Sequence, residues 1–215
     1  MRIVVAYKWT CDPEEATVRA DGTVDWSRAK PGLSAYDPVA IEVARQFADE
    51  AGAELIGVTV GGKGVAAPLA SKAALGRGLD RVVIVEDVSL ADAGRSELAA
   101  VLAEVIRHIG DVDLVVTGDS SVDVAAKMVP TVLAASADAA APRVPGMKDL
   151  LAAGKKPVEL LELAALKVPP RNAVMTVTGR AVPERKPRKG QLIDTADPAK
   201  AAAELVSALR QAGTL

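Results

Sequence analysis

Side chains suited to metal or nucleophilic chemistry are scarce in this sequence. Its 215 residues include one cysteine, Cys11, and one histidine, His108. A single cysteine excludes an internal disulfide and a cysteine-rich metal site. A single histidine leaves little from which to build a catalytic triad or a histidine-rich metal centre. We interpret His108, late in an amphipathic segment, as a structural residue near a negative helix end. The composition is therefore poor in side chains for acid–base chemistry.

Long apolar runs and an excess of one charge are also absent. No apolar run approaches the roughly 20 residues that a membrane span needs. The start of the chain, Met1–Ala6, lacks the charged-then-apolar pattern of a signal peptide. The net charge is −2 and the sequence pI is about 5.6, which gives no electrostatic footprint for nucleic acid. We expect a cytoplasmic protein with neither a membrane span nor a nucleic-acid partner.

The sequence does contain apolar, β-branched runs that alternate with alanine-rich amphipathic segments. The predicted strands are Arg2–Tyr7, Glu54–Val60, Arg81–Val85 and Asp113–Thr117. The predicted helices are Pro38–Ala51, Gly64–Arg77, Leu90–Ile109 and Val122–Ala135. Near-continuously apolar strands are typical of parallel sheets that are buried on both faces. The alternation predicts an α/β fold with a doubly wound, mostly parallel sheet.

A long segment, Lys8–Leu33, separates the first strand from the first helix. Asp21-Gly22 lies between two short alternating stretches and predicts a small β-hairpin. In an open parallel sheet, ligands bind beyond the carboxyl ends of the strands, so this segment is expected to lie over the usual binding crevice. It contains both tryptophans, Trp9 and Trp26. They either contribute to a site or only cover the rim of the sheet.

Several short motifs occur in order along the chain. They are Val4–Lys8, Ser34–Ala44, Val58–Gly62, Gly78–Val82, Asp113–Gly118 with Asp123, Pro142–Lys148, Gly154–Glu159, and a tail with Lys189–Ile193 and Ala199–Ala212. In this order they resemble the motifs of electron transfer flavoprotein beta subunits, of which this chain is a divergent, shortened example. The resemblance implies a Rossmann-like sheet of the adenine-nucleotide alpha-hydrolase type. It also divides the chain into a doubly wound domain (1–136), a partner-recognition loop with an extended segment (137–190) and a C-terminal arm with a helix (191–215).

The family resemblance implies a role in electron transport. Such proteins are heterodimers in which the alpha subunit supplies most of the FAD site. The beta subunit packs against it, usually holds a structural AMP, and docks on acyl-CoA dehydrogenases or similar flavin dehydrogenases. Electrons leave to a quinone reductase. The redox chemistry then belongs to the cofactor, while the beta chain binds and orients it. The resemblance therefore implies an electron-carrier subunit that has no catalytic residues and is not an enzyme in its own right. An alternative remains open, namely a stand-alone nucleotide-binding or regulatory α/β protein derived from this family.

The resemblance assigns cofactor-binding positions residue by residue. They are Ala6 and Val60, whose backbone groups face the adenine of AMP, Ser34 in place of an asparagine, Tyr36 near the partner's flavin, and Gly118 and Asp123 in the next nucleotide-binding turn. After Asp123, the family's hydroxyl, amide and glycines are replaced by Val124–Pro130. Backbone N–H groups therefore lack the glycine-rich turn that brings them close to a phosphate. We expect neither AMP nor FAD to bind tightly to the isolated chain.

The same resemblance assigns a partner-binding set in the recognition loop and the basic turn after it. This set consists of Val144, Pro145, Met147, Lys148, Lys155 and Lys156. Val144 stands where many relatives have a leucine anchor, and a shorter anchor buries less apolar surface. We therefore expect docking on a standard dehydrogenase to be weakened or retargeted.

Two further features leave alternatives open. Gly61–Gly64 is either a plain strand–helix turn or a contact for a nucleotide phosphate, although it lacks the P-loop spacing. The chain also lacks several strands that relatives have before Pro142, which would shrink the sheet below the usual four to six strands unless later residues replace them. We interpret Arg171–Ala181 as a candidate substitute edge strand.

Overall fold

The computed structural model describes residues 1–91, 93–119, 133–169, 190, 192–193 and 197–213. The strands are β1 (Arg2–Ala6), β2 (Trp9–Cys11), β3 (Thr17–Val18), β4 (Val24–Asp25), β5 (Pro31–Leu33), β6 (Glu54–Gly61), β7 (Arg81–Glu86), β8 (Leu114–Gly118), β9 (Leu133–Ala135) and β10 (Val158–Leu161). The helices are α1 (Asp37–Ala51), α2 (Pro68–Leu75), α3 (Arg95–Ile109), α4 (Met147–Ala153) and α5 (Pro198–Gln211).

A six-stranded parallel sheet in the order β10-β7-β6-β1-β8-β9 forms the centre of the fold. Val4 of β1 lies between Ile56 of β6 and Val115 of β8. The central strands are buried on both faces. One face forms a core cluster with residues of α1 and α2, and the other forms a second cluster with residues of α3. The predicted doubly wound, Rossmann-like α/β fold is therefore confirmed.

Proline and glycine residues mark the ends of two helices, α1 and α3. Pro38 lies in the first turn of α1, where a missing N–H costs nothing. Gly52 ends α1 in the left-handed conformation, with φ 58° and ψ 37°, as is typical of a helix stop. Gly110 follows α3 with a positive φ of 64° but a ψ of 157°.

Three predicted helix boundaries are wrong. α2 begins at Pro68 rather than at Gly64, because Gly64 has φ 103° and cannot start a helix. α3 begins at Arg95 rather than at Leu90, because Val88–Leu90 forms a separate 3₁₀ turn capped by Asp87. The predicted helix over 122–135 is wrong at its end, where Leu133–Ala135 pairs with β8 as strand β9. The rest of that helix lies outside the described residues.

The sheet does not fall below the usual four to six strands. β10 pairs with β7 and β9 pairs with β8, so the described residues form six strands of one sheet. Among these strands, β10 forms one edge, directly after the basic turn. The candidate edge strand Arg171–Ala181 lies outside the described residues.

The hairpin predicted around Asp21-Gly22 is confirmed. β3 and β4 pair in antiparallel register, with Gly22 at φ 81°. The Asp21 carboxylate accepts hydrogen bonds from the backbone N–H of Thr23 at 2.9 Å and from its hydroxyl at 2.6 Å. A second antiparallel pair, β2 with β5, brings Trp9 opposite Leu33, and both side chains pack against the core.

The chain divides into two compact units, Met1–Arg180 and Ala181–Leu215. The second unit contains α5, whose first turn is capped by the Asp197 carboxylate accepting from the Ala199 N–H at 2.9 Å. The boundaries at residues 136 and 190 remain predictions. Within the described ranges, no helix combines the length and the apolar character that crossing a membrane would require.

Candidate functional site

The direction of strand addition reverses beside β1. The chain proceeds from β1 through β6 to β7 on one side, then crosses to β8 on the other side. In open parallel sheets, this reversal opens a crevice at the carboxyl ends of the strands. Ala6 ends β1 and lies opposite Val58 and Thr117, so Gly118 and Val60 lie at the neighbouring strand ends. Three predicted cofactor positions therefore lie along one edge of the sheet.

The turn before α1 adds two more of these positions. The Ser34 N–H donates to the Lys8 carbonyl at 3.0 Å, and the Asp37 N–H donates to the Ser34 carbonyl at 3.1 Å. A Cβ on Gly118 would lie 3.1 Å from Tyr36 Cβ and 3.1 Å from Asp37 Oδ1. A side chain at residue 118 would therefore require the turn to move by a few tenths of an ångström. Ser34, Tyr36 and Gly118 are thus brought together, whereas Asp123 lies outside the described residues.

Asp37 is a buried carboxylate at this edge that the sequence analysis did not single out. Its Oδ2 accepts from the Lys8 N–H at 2.6 Å, and the residue is 6% exposed. Burial raises the pKa of Asp37 to about 7, although the hydrogen bond and charge of Lys8 oppose the shift. Burial, together with the Asp37 charge, raises the pKa of the Tyr7 hydroxyl as well. The one available signal was an aspartate directly before a proline at a helix start.

Polar atoms without partners also occur at this edge. Among the described residues, Thr117 Oγ1 on β8 and Asp119 Oδ1 just beyond it are buried and have no hydrogen-bond partner. Unsatisfied buried polar atoms cost free energy, and a polar ligand at the carboxyl ends would satisfy them. These two polar atoms lie near the same strand ends as Ala6 and Val60.

The loop after β6 is occupied by a side chain of the protein. Glu86 Oε2 accepts from the Gly64 N–H and the Ala66 N–H, both at 2.9 Å. These are the backbone donors that a bound phosphate would need. The geometry favours the plain strand–helix turn over a phosphate contact.

The predicted partner-binding residues form a second group, on the surface of α1 and α2. Met147 begins α4, and Asp149 Oδ2 accepts from the Gly146 N–H at 2.8 Å to hold this turn. Val144 is 88% exposed and Met147 is 76% exposed. Lys148 is exposed, and Pro145 packs toward Gly76 after α2.

The two lysines of the basic turn differ in their surroundings. The Lys156 ammonium donates to the carbonyls of Leu79 at 2.6 Å and Leu75 at 3.2 Å, at the carboxyl end of α2. Lys155 is exposed. Lys156 therefore has a structural partner, whereas Lys155 is open to solvent. The contact of either lysine with a partner remains a prediction.

Arg143 and Glu42 join the recognition loop to α1. Glu42 Oε2 accepts from Arg143 Nε at 2.6 Å, and Oε1 accepts from Arg143 Nη2 at 3.0 Å. These hydrogen bonds lower the pKa of the Glu42 carboxyl and raise that of Arg143. The pair spans about a hundred residues of sequence, which is why sequence reasoning missed it.

Within the described ranges, no cluster of histidine, cysteine or carboxylate side chains is arranged to hold a metal ion. The parallel, doubly wound sheet with helices on both faces defines a Rossmann-like α/β protein.

The particular family follows from comparison with known proteins. The family model described as electron transfer flavoprotein domain matches residues 22–208. This range covers most of the chain, so the chain belongs to the electron transfer flavoprotein domain family. Members of this family are electron carriers that work with flavoproteins.

Proposed function

We propose that this chain is the beta subunit of an electron transfer flavoprotein. It packs on an FAD-bearing alpha subunit and docks on acyl-CoA dehydrogenases or similar flavin dehydrogenases, and a quinone reductase takes up the electrons. The observation that carries the proposal is the segment from Arg143 to Lys156. It is anchored to α1 and α2 while its apolar side chains, Val144 and Met147, point into solvent. Exposed apolar side chains on an anchored segment suit a docking surface.

The residues at the strand ends suit a binding role. Bound FAD supplies the electron-transfer chemistry, and we propose that the alpha subunit holds most of it. Tyr36, at the turn before α1, is the residue that we expect to face the flavin ring. The chain supplies no catalytic residue in this proposal.

We further propose that AMP binds weakly. Thr117, Asp119, Ala6 and Val60 suit the nucleoside, but the Glu86 carboxylate occupies the Gly64 loop. The sequence after Asp123 also lacks the glycines of a phosphate turn. Isothermal titration of AMP, and separately of FAD, into the isolated chain tests this. Tight binding of either would overturn the expectation.

Tagged purification from the native cells tests the main proposal. We expect a yellow, one-to-one complex with a larger chain, with the absorbance spectrum of FAD. Acyl-CoA and its dehydrogenase should then bleach the flavin of the complex. A colourless, self-associated protein would instead favour a stand-alone nucleotide-binding protein of the same fold.

A further inference from the structure

Glu42 is a buried carboxylate whose main partner, Arg143, comes from the recognition loop. It lies in α1, and its side chain is only 9% exposed. Besides the two guanidinium contacts, its Oε2 accepts from the backbone N–H of Arg143 at 3.2 Å. Oε1 also accepts from Gln46 Nε2 at 3.3 Å. The carboxylate therefore fixes both the side chain and the main chain of Arg143.

Arg77 fixes the other side of the same residue. Its Nη1 donates to the Arg143 carbonyl at 2.9 Å. The N–H and the C=O of Arg143 are thus held by side chains from two places, α1 and the turn after α2. With both peptide groups fixed, the direction in which the chain leaves toward Val144 is fixed as well.

Apolar packing continues the attachment without covering the loop. A Cβ on Gly76 would lie 3.1 Å from Leu150 Cδ2 and 3.4 Å from Pro145 Cβ, so both side chains lie close against the turn after α2. Val144 lies between Arg143 and Pro145, Met147 lies between Pro145 and Leu150, and both remain exposed. The residues on either side are anchored, and those between them are presented to solvent.

The Glu42–Arg143 pair is a poor source of stability, because Glu42 loses its contact with water while water still screens the 42%-exposed Arg143 side chain. The better-attested effect of such a pair is to select one geometry among several. A bidentate guanidinium–carboxylate pair is especially directional, because both groups are planar. The cost of burying Glu42 is therefore better explained by fixing the loop than by stabilising the fold.

We propose that Glu42, Arg77 and Arg143 form a clamp that positions Val144 and Met147 for docking on a flavin dehydrogenase. This inference rests on the proposed function. Glu42 and Arg77 act through the loop and not on the partner, so they are positioning residues. Binding a loop that is already ordered avoids the entropy cost of ordering it at the moment of docking.

The test uses the complete flavoprotein complex, with an acyl-CoA dehydrogenase from the same cells as its electron donor. The KM for the complex and kcat are measured separately. We expect Glu42→Gln to raise KM about tenfold, because a disordered loop pays its ordering cost on binding, and to leave kcat within about twofold. Glu50→Gln, an exposed position on the same helix, is the matched control and should leave both values unchanged.

A double-mutant comparison separates positioning from direct contact. Met147→Ala alone should raise KM. The rise in KM of the double variant with Glu42→Gln should be smaller than the product of the two single rises, because the clamp acts through the Met147 side chain. Arg77→Met, which removes only the bond to the Arg143 carbonyl, should give a smaller rise in KM than Glu42→Gln. Independent, multiplicative effects would overturn the clamp.

Failure of this inference differs from failure of the proposed function. If Met147→Ala and Val144→Ala raise KM but Glu42→Gln does not, the clamp is wrong and the docking role stands. If none of these variants changes KM, the docking role itself is wrong and the clamp falls with it. Hydrogen exchange of the complex without dehydrogenase provides a second readout. Amides of residues 143, 144 and 146–150 should exchange about tenfold faster in Glu42→Gln than in Glu50→Gln, as expected for local opening, and equal protection would overturn the clamp.

Discussion

Asp37 holds a carboxyl group under the turn that begins α1, and burial governs its protonation. Its folded-state pKa of about 7 lies well above the unfolded value of about 3.9. Between these two pKa values, the carboxyl group of Asp37 is protonated in the folded state and ionised in the unfolded state. The associated stability is fully present below the unfolded pKa and is lost as the pH rises through the folded pKa.

This sign gives a prediction for Asp37→Asn. The amide oxygen can still accept from the Lys8 N–H but does not titrate. Between about pH 4 and about pH 7, the free energy of unfolding of the natural protein should fall relative to that of the variant. Urea denaturation of both proteins across this range measures the difference. Parallel pH dependence of the two proteins would show that Asp37 does not titrate there.

Gly57 illustrates how closely β6 is packed. A Cβ at this position would lie 2.4 Å from Leu79 Cδ1 and 3.0 Å from Tyr7 Cε1. Leu79 is fully buried, so its side chain would have to shift within the core to make room. We expect Gly57→Ala to destabilise the fold by about 1–3 kcal/mol through overpacking.

Gly32→Ala is the control for this prediction, because a Cβ there meets no atom within 4 Å. Its free energy of unfolding should stay within about 0.5 kcal/mol of the natural value. Urea denaturation compares the two variants. Equal stability of both would mean that Leu79 can move aside.

At the level of secondary-structure elements, α2 depends on a side chain from a later part of the chain. The last carbonyls of a helix have no partner within the helix, and the Lys156 ammonium supplies one for Leu75 and, just beyond the helix, one for Leu79. Lys156→Met keeps the length of the stem but removes these hydrogen bonds. We expect a loss of about 1–3 kcal/mol, as is typical when charged hydrogen bonds are removed.

Lys155→Met changes the same residue type at the neighbouring exposed position. Its stability should be nearly unchanged, and thermal denaturation of the two variants provides the comparison. If Lys155→Met destabilises as much as Lys156→Met, loss of surface charge and not loss of the helix contact explains the effect.

The elements differ in how far the sequence could predict them. The strands buried on both faces are β1, β6, β7 and β8, and their sequences are near-continuous apolar runs. Each of their predicted bounds lies within one residue of the observed bound. β9 could not be predicted, because Leu133–Ala135 has the alanine-rich composition of a helix. Pairing with β8 overrides that local preference.

The candidate site shows the same division. The strand ends follow from the topology of a parallel sheet, so Ala6, Val60 and Gly118 were predictable in position. The partners of Glu42 and Glu86 were not. Glu42 meets a residue 101 positions away, and such contacts depend on how separate elements pack. Sequence patterns predict elements well and their side-chain pairings poorly.

Across the whole sheet, alternating charges link the amino ends of the strands. Glu54 on β6 contacts Arg2 of β1 at 3.4 Å and Arg81 of β7 at 2.8 Å. Arg81 also contacts Glu159 of β10 at 3.3 Å, and Glu159 contacts His108 of α3 at 2.8 Å. This contact agrees with the structural interpretation of His108. The charge ladder thereby ties the edge strand β10 to the centre of the sheet.

Arg81 is the central member of this charge ladder and its most buried side chain, at 22% exposure. Among the described strands, β10 pairs only with β7, so its attachment depends on this side of the sheet. We expect Arg81→Met to cost about 1 kcal/mol, the upper range for partly exposed ion pairs. Amides of β10 should lose more hydrogen-exchange protection than those of β1. In 1 M salt the difference in β10 protection between the variant and the natural protein should shrink, because charges are screened within about 3 Å.

Arg19→Met is the control for this prediction. It removes the exposed Arg19–Asp25 pair of the hairpin and should leave β10 protection unchanged. If the β10 amides are equally protected from exchange in both variants, backbone pairing alone holds the edge strand, and the charge ladder does not contribute to its attachment.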